Sequence, residues 1–314
     1  DYAQTEPDAP EVYIDKTPVA DAQAFIRSAQ AIARKPRVGL CGVTSSGKSR
    51  LGNIILGLDR LPAGFDPTTS TICLIRHISD KPVWQTEDVW MMRRGFDVNL
   101  ADDEDHCKAL RLISGGYESL RQYGTFSGSG FNHDSHVAVI YIDSPLLMGC
   151  DLLDFPGYES PSGQTERSEL GQQLIDVLIY TSPAHDFLNQ ADINYLGALL
   201  RHLPIYSALH GNIEPLRNLM VVATKADTIE KDRGAHLLDR GSMYVFHNLS
   251  HVFTGISRIT NSQIRQEDLR RRFFTFTAVD VNMRTELTGV ESDLVDLLSN
   301  TLPKCLLAQM NSHI

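Results

Sequence analysis

Hydrophobic residues in this chain alternate between short continuous runs and runs with helical spacing. The continuous runs predict buried strands, at 38–41, 72–75, 137–142, 152–153, 177–180, 219–223 and 273–276. Elsewhere apolar residues recur every three or four positions, at 49–58, 193–203 and 290–302, and Pro303 is expected to end the last helix. This alternation predicts an α/β fold with a mainly parallel central sheet flanked by helices.

Two segments depart from the alternation. Apolar residues recur at helical spacing over 20–35 and stop at Pro36, which predicts an N-terminal helical arm after an acidic, proline-containing lead-in. Residues 99–136 contain an acidic run, a short helical pattern and several glycines among serines. We expect this second segment to be a surface excursion, with the acidic run as a solvated face.

Composition limits the class of protein. With 42% hydrophobic and 22% charged residues among 314, the chain is typical of a soluble globular protein. Its net charge of -10 argues against a nucleic-acid partner, because phosphate affinity needs clustered Lys and Arg. The five cysteines form no CxxC pair, so neither a disulfide framework nor a zinc site is indicated. No apolar run approaches the roughly 18 residues that span a bilayer.

The strongest motif is Gly-Val-Thr-Ser-Ser-Gly-Lys-Ser at 42–49, which fits the phosphate-loop pattern GxxxxGK[ST] between a predicted strand and a predicted helix. Its glycines allow backbone N–H groups to converge on phosphate oxygens, Lys48 is placed for the β- and γ-phosphates, and the Ser49 hydroxyl for Mg²⁺. The expected nucleotide-binding residues here are Gly42, Thr44, Ser45, Ser46, Gly47, Lys48 and Ser49. The motif predicts a nucleoside triphosphate site.

A second motif, Thr224-Lys225-Ala226-Asp227, indicates which nucleotide is bound. It directly follows a predicted strand, at the edge where ligands of α/β sheets bind. The Asp227 carboxylate can accept hydrogen bonds from N1–H and the N2 amino group of guanine, whereas adenine would leave it unpaired. The Lys225 stem would lie along the base. We therefore predict GTP and GDP as ligands.

Two segments between these motifs are candidate switches. Asp154-Phe155-Pro156-Gly157 ends a predicted strand, so that Asp154 can hold a Mg²⁺-bound water and the Gly157 amide can detect a γ-phosphate. Thr68 and Thr69 precede the second predicted strand, where a threonine can ligate Mg²⁺ and hold water through its carbonyl. A threonine-rich strand entry is the alternative for this string alone, and the position in the series favours the switch.

The order GxxxxGKS, PTT, DxPG, TKxD resembles a G-protein domain, and finer details resemble the dynamin superfamily, most closely bacterial dynamin-like proteins. Those details are the Thr-Ser-Ser-Gly-Lys-Ser loop, a Leu61-Pro62 turn, and a strand followed by a stretch ending in Gln190-Ala191-Asp192. The resemblance implies a P-loop GTPase domain at 37–303. Residues 1–36 would form a lead-in and a neck-like helix, and residues 304–314 a short tail.

The resemblance also implies roles for individual residues. Catalysis is expected from Ser45, Lys48, Thr69 and Gly157, magnesium binding from Ser49, Thr69 and Asp154, and nucleotide binding also from Thr68, Lys225, Asp227, Thr277 and Ala278. The sequence does not separate Thr68 from Thr69 as the switch threonine. Thr44 stands where eukaryotic dynamins carry glutamine, so what places the attacking water stays open.

The implied function is Mg²⁺-dependent hydrolysis of GTP to GDP and phosphate, activated by nucleotide-dependent homodimerisation through the GTPase domain. In the full-length protein it would be coupled to membrane remodelling through a stalk or tip that this chain lacks; the chain is then a GTPase domain without its stalk, or a short stalkless protein. We expect a cytoplasmic protein, peripheral at membranes in its full-length form. The alternative is a nucleotide-gated binding module with negligible turnover. A third hypothesis is a P-loop kinase, in which the TKxD motif would have no function.

Overall fold

The computed structural model describes residues 34–57, 71–124, 129–130, 134–157, 174–206, 214–230, 233–279 and 289–312. Three sequence predictions lie outside these residues. They are nearly all of the helical arm over 20–35, the Leu61-Pro62 turn, and the switch threonines Thr68 and Thr69.

The described residues form a sheet of nine strands. The strands are β1 Arg37–Gly42, β2 Ile72–His77, β3 Val89–Arg93, β4 Arg111–Gly115, β5 Ser135–Ile142, β6 Asp151–Asp154, β7 Val177–Pro183, β8 Leu219–Thr224 and β9 Phe273–Thr275. They lie in the order β4-β3-β5-β2-β6-β1-β7-β8-β9. Every residue of β1 and of β5 to β8 is buried, which explains their continuous apolar runs.

Strand direction divides the sheet into two parts. From β6 through β1, β7 and β8 to β9 all neighbours are parallel. On the other side, β2 is antiparallel to β6 and parallel to β5, while β3 is antiparallel to both β5 and β4. Most pairings are therefore parallel, as predicted, and the carboxyl ends of β1, β6, β7 and β8 meet at one edge.

Helices cover both faces of the sheet. They are α1 Lys48–Leu56, α2 Glu104–Leu110, α3 Tyr117–Tyr123, α4 Gln190–Leu200, α5 Gly234–Asn248, α6 Ser250–Thr260, α7 Gln266–Arg270, α8 Val290–Asp296 and α9 Leu302–Ser312. Alternate residues of β2 belong to two separate apolar clusters, one shared with α4, α5 and α6 and the other with α1, α8 and α9. The α/β architecture predicted from the sequence is confirmed.

The helix α4 starts with a capping box. The Asn189 side chain accepts from the Asp192 N–H, and the Asp192 carboxylate accepts from the Asn189 N–H. Asp192 is fully buried and also accepts from the hydroxyl of Tyr180, at 2.7 Å. The Gln190-Ala191-Asp192 stretch thus joins the start of α4 to β7.

The prediction of a surface excursion at 99–136 is wrong. This segment contains α2, β4, α3 and the first residues of β5. The acidic run begins α2, since the side chain of Asp103 accepts from the His106 N–H at 2.7 Å and Glu104 and Asp105 lie in the first turn. The strand β4 pairs with β3 but has few apolar residues, so its pattern did not predict a strand.

The prediction that Pro303 ends the last helix is also wrong, because α9 continues to Ser312. The chain passes from α8 to α9 through a π turn at Leu297–Thr301, where the Leu302 N–H donates to the Leu297 carbonyl, five residues back. A proline in a regular helix clashes with the carbonyl four residues back, and the widened turn accommodates it. Among the described residues, no helix is long and apolar enough to cross a membrane.

Candidate nucleotide-binding site

The phosphate loop joins β1 to α1 in a conformation that needs glycine. Gly42 has φ +150°, and a Cβ there would lie 2.2 Å from the Thr181 carbonyl oxygen. Gly47 has φ +90° and precedes α1. Ser45 also has positive φ, +61°. The loop is therefore tightly wound against β7, as a phosphate-binding loop requires.

Two threonines from neighbouring strands hold the loop at Ser46. The hydroxyls of Ser46 and Thr181 lie 2.7 Å apart, and the Thr181 hydroxyl donates to the Cys41 carbonyl at 3.2 Å. From β8, the Thr224 hydroxyl donates to the Ser46 carbonyl. Thr181 is a site-supporting residue that the sequence analysis did not identify, and Thr224 appeared only as part of TKxD.

Lys48 points back over the loop. Its Nζ donates to the carbonyls of Gly42 and Val43, at 3.2 and 2.9 Å, and the side chain is buried. Burial lowers the pKa of Lys48, and the nearby Asp154 carboxylate opposes that shift. A buried ammonium whose described hydrogen bonds go to neutral carbonyls is well suited to an anionic ligand.

Asp154, at the end of β6, faces the start of α1. Its Oδ2 accepts from the Ser49 hydroxyl at 3.0 Å, while its Oδ1 is buried without a hydrogen-bond partner in the described part of the chain. Burial raises the pKa of Asp154 to about 6, against the opposing effects of Lys48 and Ser49. An unpartnered carboxylate oxygen beside a serine hydroxyl fits Mg²⁺, which binds hard oxygen ligands and keeps several waters.

Gly157 lies directly on the phosphate loop. A Cβ at this position would be 2.5 Å from Thr44 Oγ1, 2.6 Å from Thr44 Cα and 2.8 Å from Thr44 N. Only glycine allows this approach, because two of those three atoms belong to the backbone. The segment 154–157 and the phosphate loop are thus in contact at Thr44 and at Ser49.

The TKxD motif and the loop after β9 come together at the same edge. Lys225 follows β8 in a left-handed conformation, φ +53°, and the Ala226 N–H donates to the Phe276 carbonyl at 3.2 Å. The fully buried Thr277 donates its hydroxyl to Asp227 Oδ1 at 3.0 Å. Ala278 follows, half-buried. Asp227 itself is exposed, so its carboxylate is oriented but accessible to a ligand.

Most of the residues predicted for the site lie along this edge. Direct contacts join the phosphate loop, Asp154 and Gly157, and the Thr224–Ser46 bond joins the loop to the TKxD motif. Thr277 donates to Asp227, and Ala278 is the next residue in the chain. Thr68 and Thr69 are the two predicted residues outside the described ranges.

A Gly42→Ala substitution is expected to destabilise the protein by about 3–5 kcal/mol, because it combines a forbidden φ with a clash against a strand carbonyl. Urea unfolding of the nucleotide-free protein measures this change. Gly95→Ala is the control, since Gly95 also has positive φ, +90°, but faces open space, and it should cost only about 1–2 kcal/mol. Equal losses in the two variants would contradict the steric account.

This chain is similar in fold to solved structures of a bacterial dynamin pair. Two structures of an oligomerised bacterial dynamin pair, described as a mechanism for long-range sensing and tethering of membranes, match with TM-scores of 0.50 and 0.52 at 13% and 15% identity. They cover 96% and 95% of this chain and 43% of each matched chain. LeoA, a bacterial dynamin GTPase from ETEC, gives 0.43 at 13% identity, over 94% of this chain and 41% of that one. This chain thus spans less than half the length of these structures.

No curated protein sequence has significant similarity to this chain. A sequence model of the dynamin family, in contrast, matches residues 38–201, which is more than half of the 314 residues. The matched segment includes the phosphate loop, Asp154 and Gly157. The resemblance inferred from the order of the motifs is confirmed, and the chain belongs to the dynamin family.

Proposed function

We propose that this protein binds GTP with Mg²⁺ and hydrolyses it to GDP and phosphate. The observation that carries the proposal is the meeting, at one sheet edge, of a buried lysine in a phosphate loop and an exposed carboxylate held by Thr277. One end fits a polyphosphate and the other fits guanine. Membership of the dynamin family supports the assignment.

Each residue at the phosphate end of the site has its own role. Lys48 and the loop N–H groups bind the β- and γ-phosphates, and the Gly157 amide binds the γ-phosphate. Ser49 and Asp154 would hold the magnesium ion, together with Thr69 or Thr68. When bound, Mg²⁺ neutralises charge on the β- and γ-phosphate oxygens. Ser45 and the carbonyl of Thr69 orient the attacking water, so catalysis is mainly positioning and charge stabilisation.

The base end selects guanine. Asp227 Oδ1 accepts from Thr277, which fixes the plane of the carboxylate, and its remaining lone pairs are available to guanine N1–H and N2. Adenine presents neither donor. The Lys225 stem lies along the base, and Ala278 closes the pocket beside it.

We further propose that residues 37–303 are the GTPase domain, preceded by a lead-in and a neck-like helix over 1–36 and followed by a short C-terminal segment, 304–314, into which α9 continues. In this proposal the domain forms a nucleotide-dependent homodimer through its nucleotide face, as the family resemblance implies. In the proposal, GTP hydrolysis is coupled to membrane remodelling in the full-length protein, which lies peripherally at membranes on the cytoplasmic side. No part of the proposal involves nucleic acid.

Calorimetry with GTP and with ATP tests the ligand, in Mg²⁺ and again in excess EDTA. We expect GTP to bind and ATP not to bind. GTP binding should be weaker in EDTA. Because a protein with a net charge of -10 repels an anionic ligand, the phosphate site depends on Lys48, backbone amides and the metal. Equal affinity for ATP and GTP would refute the proposal.

Phosphate release, measured per molecule over a range of protein concentrations, tests the activity. We expect the rate to rise with concentration, because dimerisation through the nucleotide face completes the site. A flat rate near zero would instead support a GTP-gated binding module, the second candidate. Transfer of phosphate to a small-molecule acceptor would support a kinase.

A further inference from the structure

Asp192, in the first turn of α4, is a fully buried carboxylate. Its Oδ1 accepts from the Tyr180 hydroxyl at 2.7 Å, and its Oδ2 accepts from the Ser182 hydroxyl at 2.9 Å and from the Asn189 N–H at 3.1 Å. These three donors are neutral groups. Burial raises the pKa of Asp192, and the three hydrogen bonds oppose that shift. A buried carboxylate is costly, so a network built around one calls for a reason.

Another helix, α7, starts with a simpler arrangement. There the Asp268 carboxylate accepts from the Arg265 N–H at 2.9 Å, in the position that Asp192 has in α4. Asp268 is also buried, and the described hydrogen bonds of its carboxylate all come from Arg265. Capping of the helix therefore explains the bond from the Asn189 N–H, but it does not explain the two hydroxyl bonds of Asp192.

The two hydroxyl bonds fix the end of β7 from one face of the sheet. Side chains alternate along a strand, so Tyr180 and Ser182 point to the α4 side, and Thr181 between them points to the α1 side. On the α1 side, the Thr181 hydroxyl lies 2.7 Å from the Ser46 hydroxyl in the phosphate loop. Asp192 thus holds both neighbours of the residue that holds the loop.

The connection from β7 to α4 depends on the same network. The Leu188 N–H donates to the Ser182 hydroxyl at 2.9 Å, and Leu188 has φ +60°, a left-handed conformation that leucine rarely adopts. A residue in such a conformation persists where its surroundings hold it. The end of β7, the connection and the start of α4 are therefore tied together at Ser182 and Asp192.

We propose that Asp192 is a positioning residue for the phosphate loop. It fixes the end of β7, and Thr181 transmits that position to Ser46. A loop that is already in place loses less freedom when a nucleotide binds, so the network raises the affinity for GDP and GTP alike. In this proposal Asp192 does not touch the nucleotide. The inference rests on the proposed function, since the loop must bind a guanine nucleotide.

Calorimetric titration with GDP and Mg²⁺ tests the role of Asp192. We expect Asp192→Ala to bind GDP about tenfold more weakly, because its loop is less ordered before binding. Asp192→Asn should stay within about threefold of the unchanged protein. The asparagine oxygen can still accept from Asn189 and Ser182. The Tyr180 hydroxyl can donate to the carbonyl of residue 192, which is 3.3 Å away.

A double-mutant cycle with Thr181→Val distinguishes an effect through Thr181 from a general loss of structure. Thr181→Val alone should weaken GDP binding. Adding Asp192→Ala to it should cost at most about twofold more, because the connection to Ser46 is already broken. Ser182→Ala enters the same cycle and should bind GDP about threefold more weakly or worse. It removes a single hydroxyl, so the test does not depend on whether Asp192→Ala folds.

Asp268→Ala is the matched control. It removes the buried carboxylate from the start of α7, which precedes β9 and so lies at the edge of the sheet away from the TKxD motif. We expect a lower unfolding temperature for Asp268→Ala and an unchanged affinity for GDP.

Four results would overturn the inference alone: unchanged GDP affinity in Ser182→Ala, losses that add fully to that of Thr181→Val, an equal loss in Asp268→Ala, or the same loss in Asp192→Asn as in Asp192→Ala. Failure of the unchanged protein to bind GDP is a different result. It would overturn the proposed function, and this inference with it.

Discussion

A Lys48→Met variant is expected to bind GTP roughly 10²- to 10⁴-fold more weakly while the nucleotide-free protein stays folded. Lys48 is proposed to contact two phosphates, and each charge-assisted hydrogen bond contributes about 1.5–3 kcal/mol. The bonds from Nζ to Gly42 and Val43 are the described contacts that the fold loses. Calorimetric titration with Mg²⁺ and GTP measures the loss.

Stability of the same variant provides an independent check. Because burial lowers the pKa of Lys48, the folded protein holds this ammonium at a cost, and an apolar side chain of similar length removes that cost. The unfolding temperature should therefore stay the same or rise. Lys108→Met is the control, since Lys108 is exposed and pairs with Glu104, and its GTP affinity should not change. Full GTP affinity in Lys48→Met would exclude a phosphate role for this lysine.

An Asp227→Asn variant is expected to change the preferred base from guanine to xanthine. The asparagine amide can donate to the oxygen that xanthine carries at C2, but it cannot accept both donors of guanine. Affinity for GTP should fall by roughly 10²-fold or more, and affinity for xanthosine triphosphate should rise. Because Asp227 is exposed and an asparagine oxygen can still accept from Thr277, stability should change little.

The ratio of GTP to xanthosine triphosphate affinity is the decisive measurement for Asp227. Glu230→Gln removes one negative charge just beyond the same turn, where Glu230 pairs only weakly at the surface with Arg233. That control should leave the ratio unchanged. If Glu230→Gln shifted the ratio as far as Asp227→Asn did, a general charge effect would replace base recognition.

Sequence patterns predicted every strand of the described sheet except the two at one end, β3 and β4. The strands β5 and β7 are buried at every position, so their apolar runs are continuous and stand out from the polar residues around them. The edge strand β4, Arg-Leu-Ile-Ser-Gly, is half-buried and has only two apolar residues. This segment is a strand because it pairs with β3, and that pairing cannot be predicted from the residues of the segment alone.

Helices were predicted unevenly for a similar reason. The helix α1 follows a motif that requires one. No prediction covered α5 or α6. In α5, Gly241 and Asn248 are weak helix formers, and the apolar faces of both helices pack in the core. The rule that a proline ends a helix failed at Pro303, because a π turn accommodates the proline ring. No residue pattern predicts such a turn.

Prediction of the site depended on how far apart its contacts lie in the chain. Residues inside a motif were identified, because their spacing alone indicates their chemistry. Thr181 was missed because its partner Ser46 is 135 residues away and nothing local distinguishes it from its neighbours on β7. The close approach of Gly157 to Thr44 is likewise a contact between distant parts of the chain, which no motif predicts.

The bonds that hold Ser46 also limit where the protein can move. Because Thr181 and Thr224 tie the phosphate loop to two strands in the interior of the sheet, the loop is already ordered before a nucleotide arrives. It cannot shift without displacing β7 and β8. A nucleotide would therefore meet a preformed phosphate loop, and little of its binding free energy would be spent on ordering that loop.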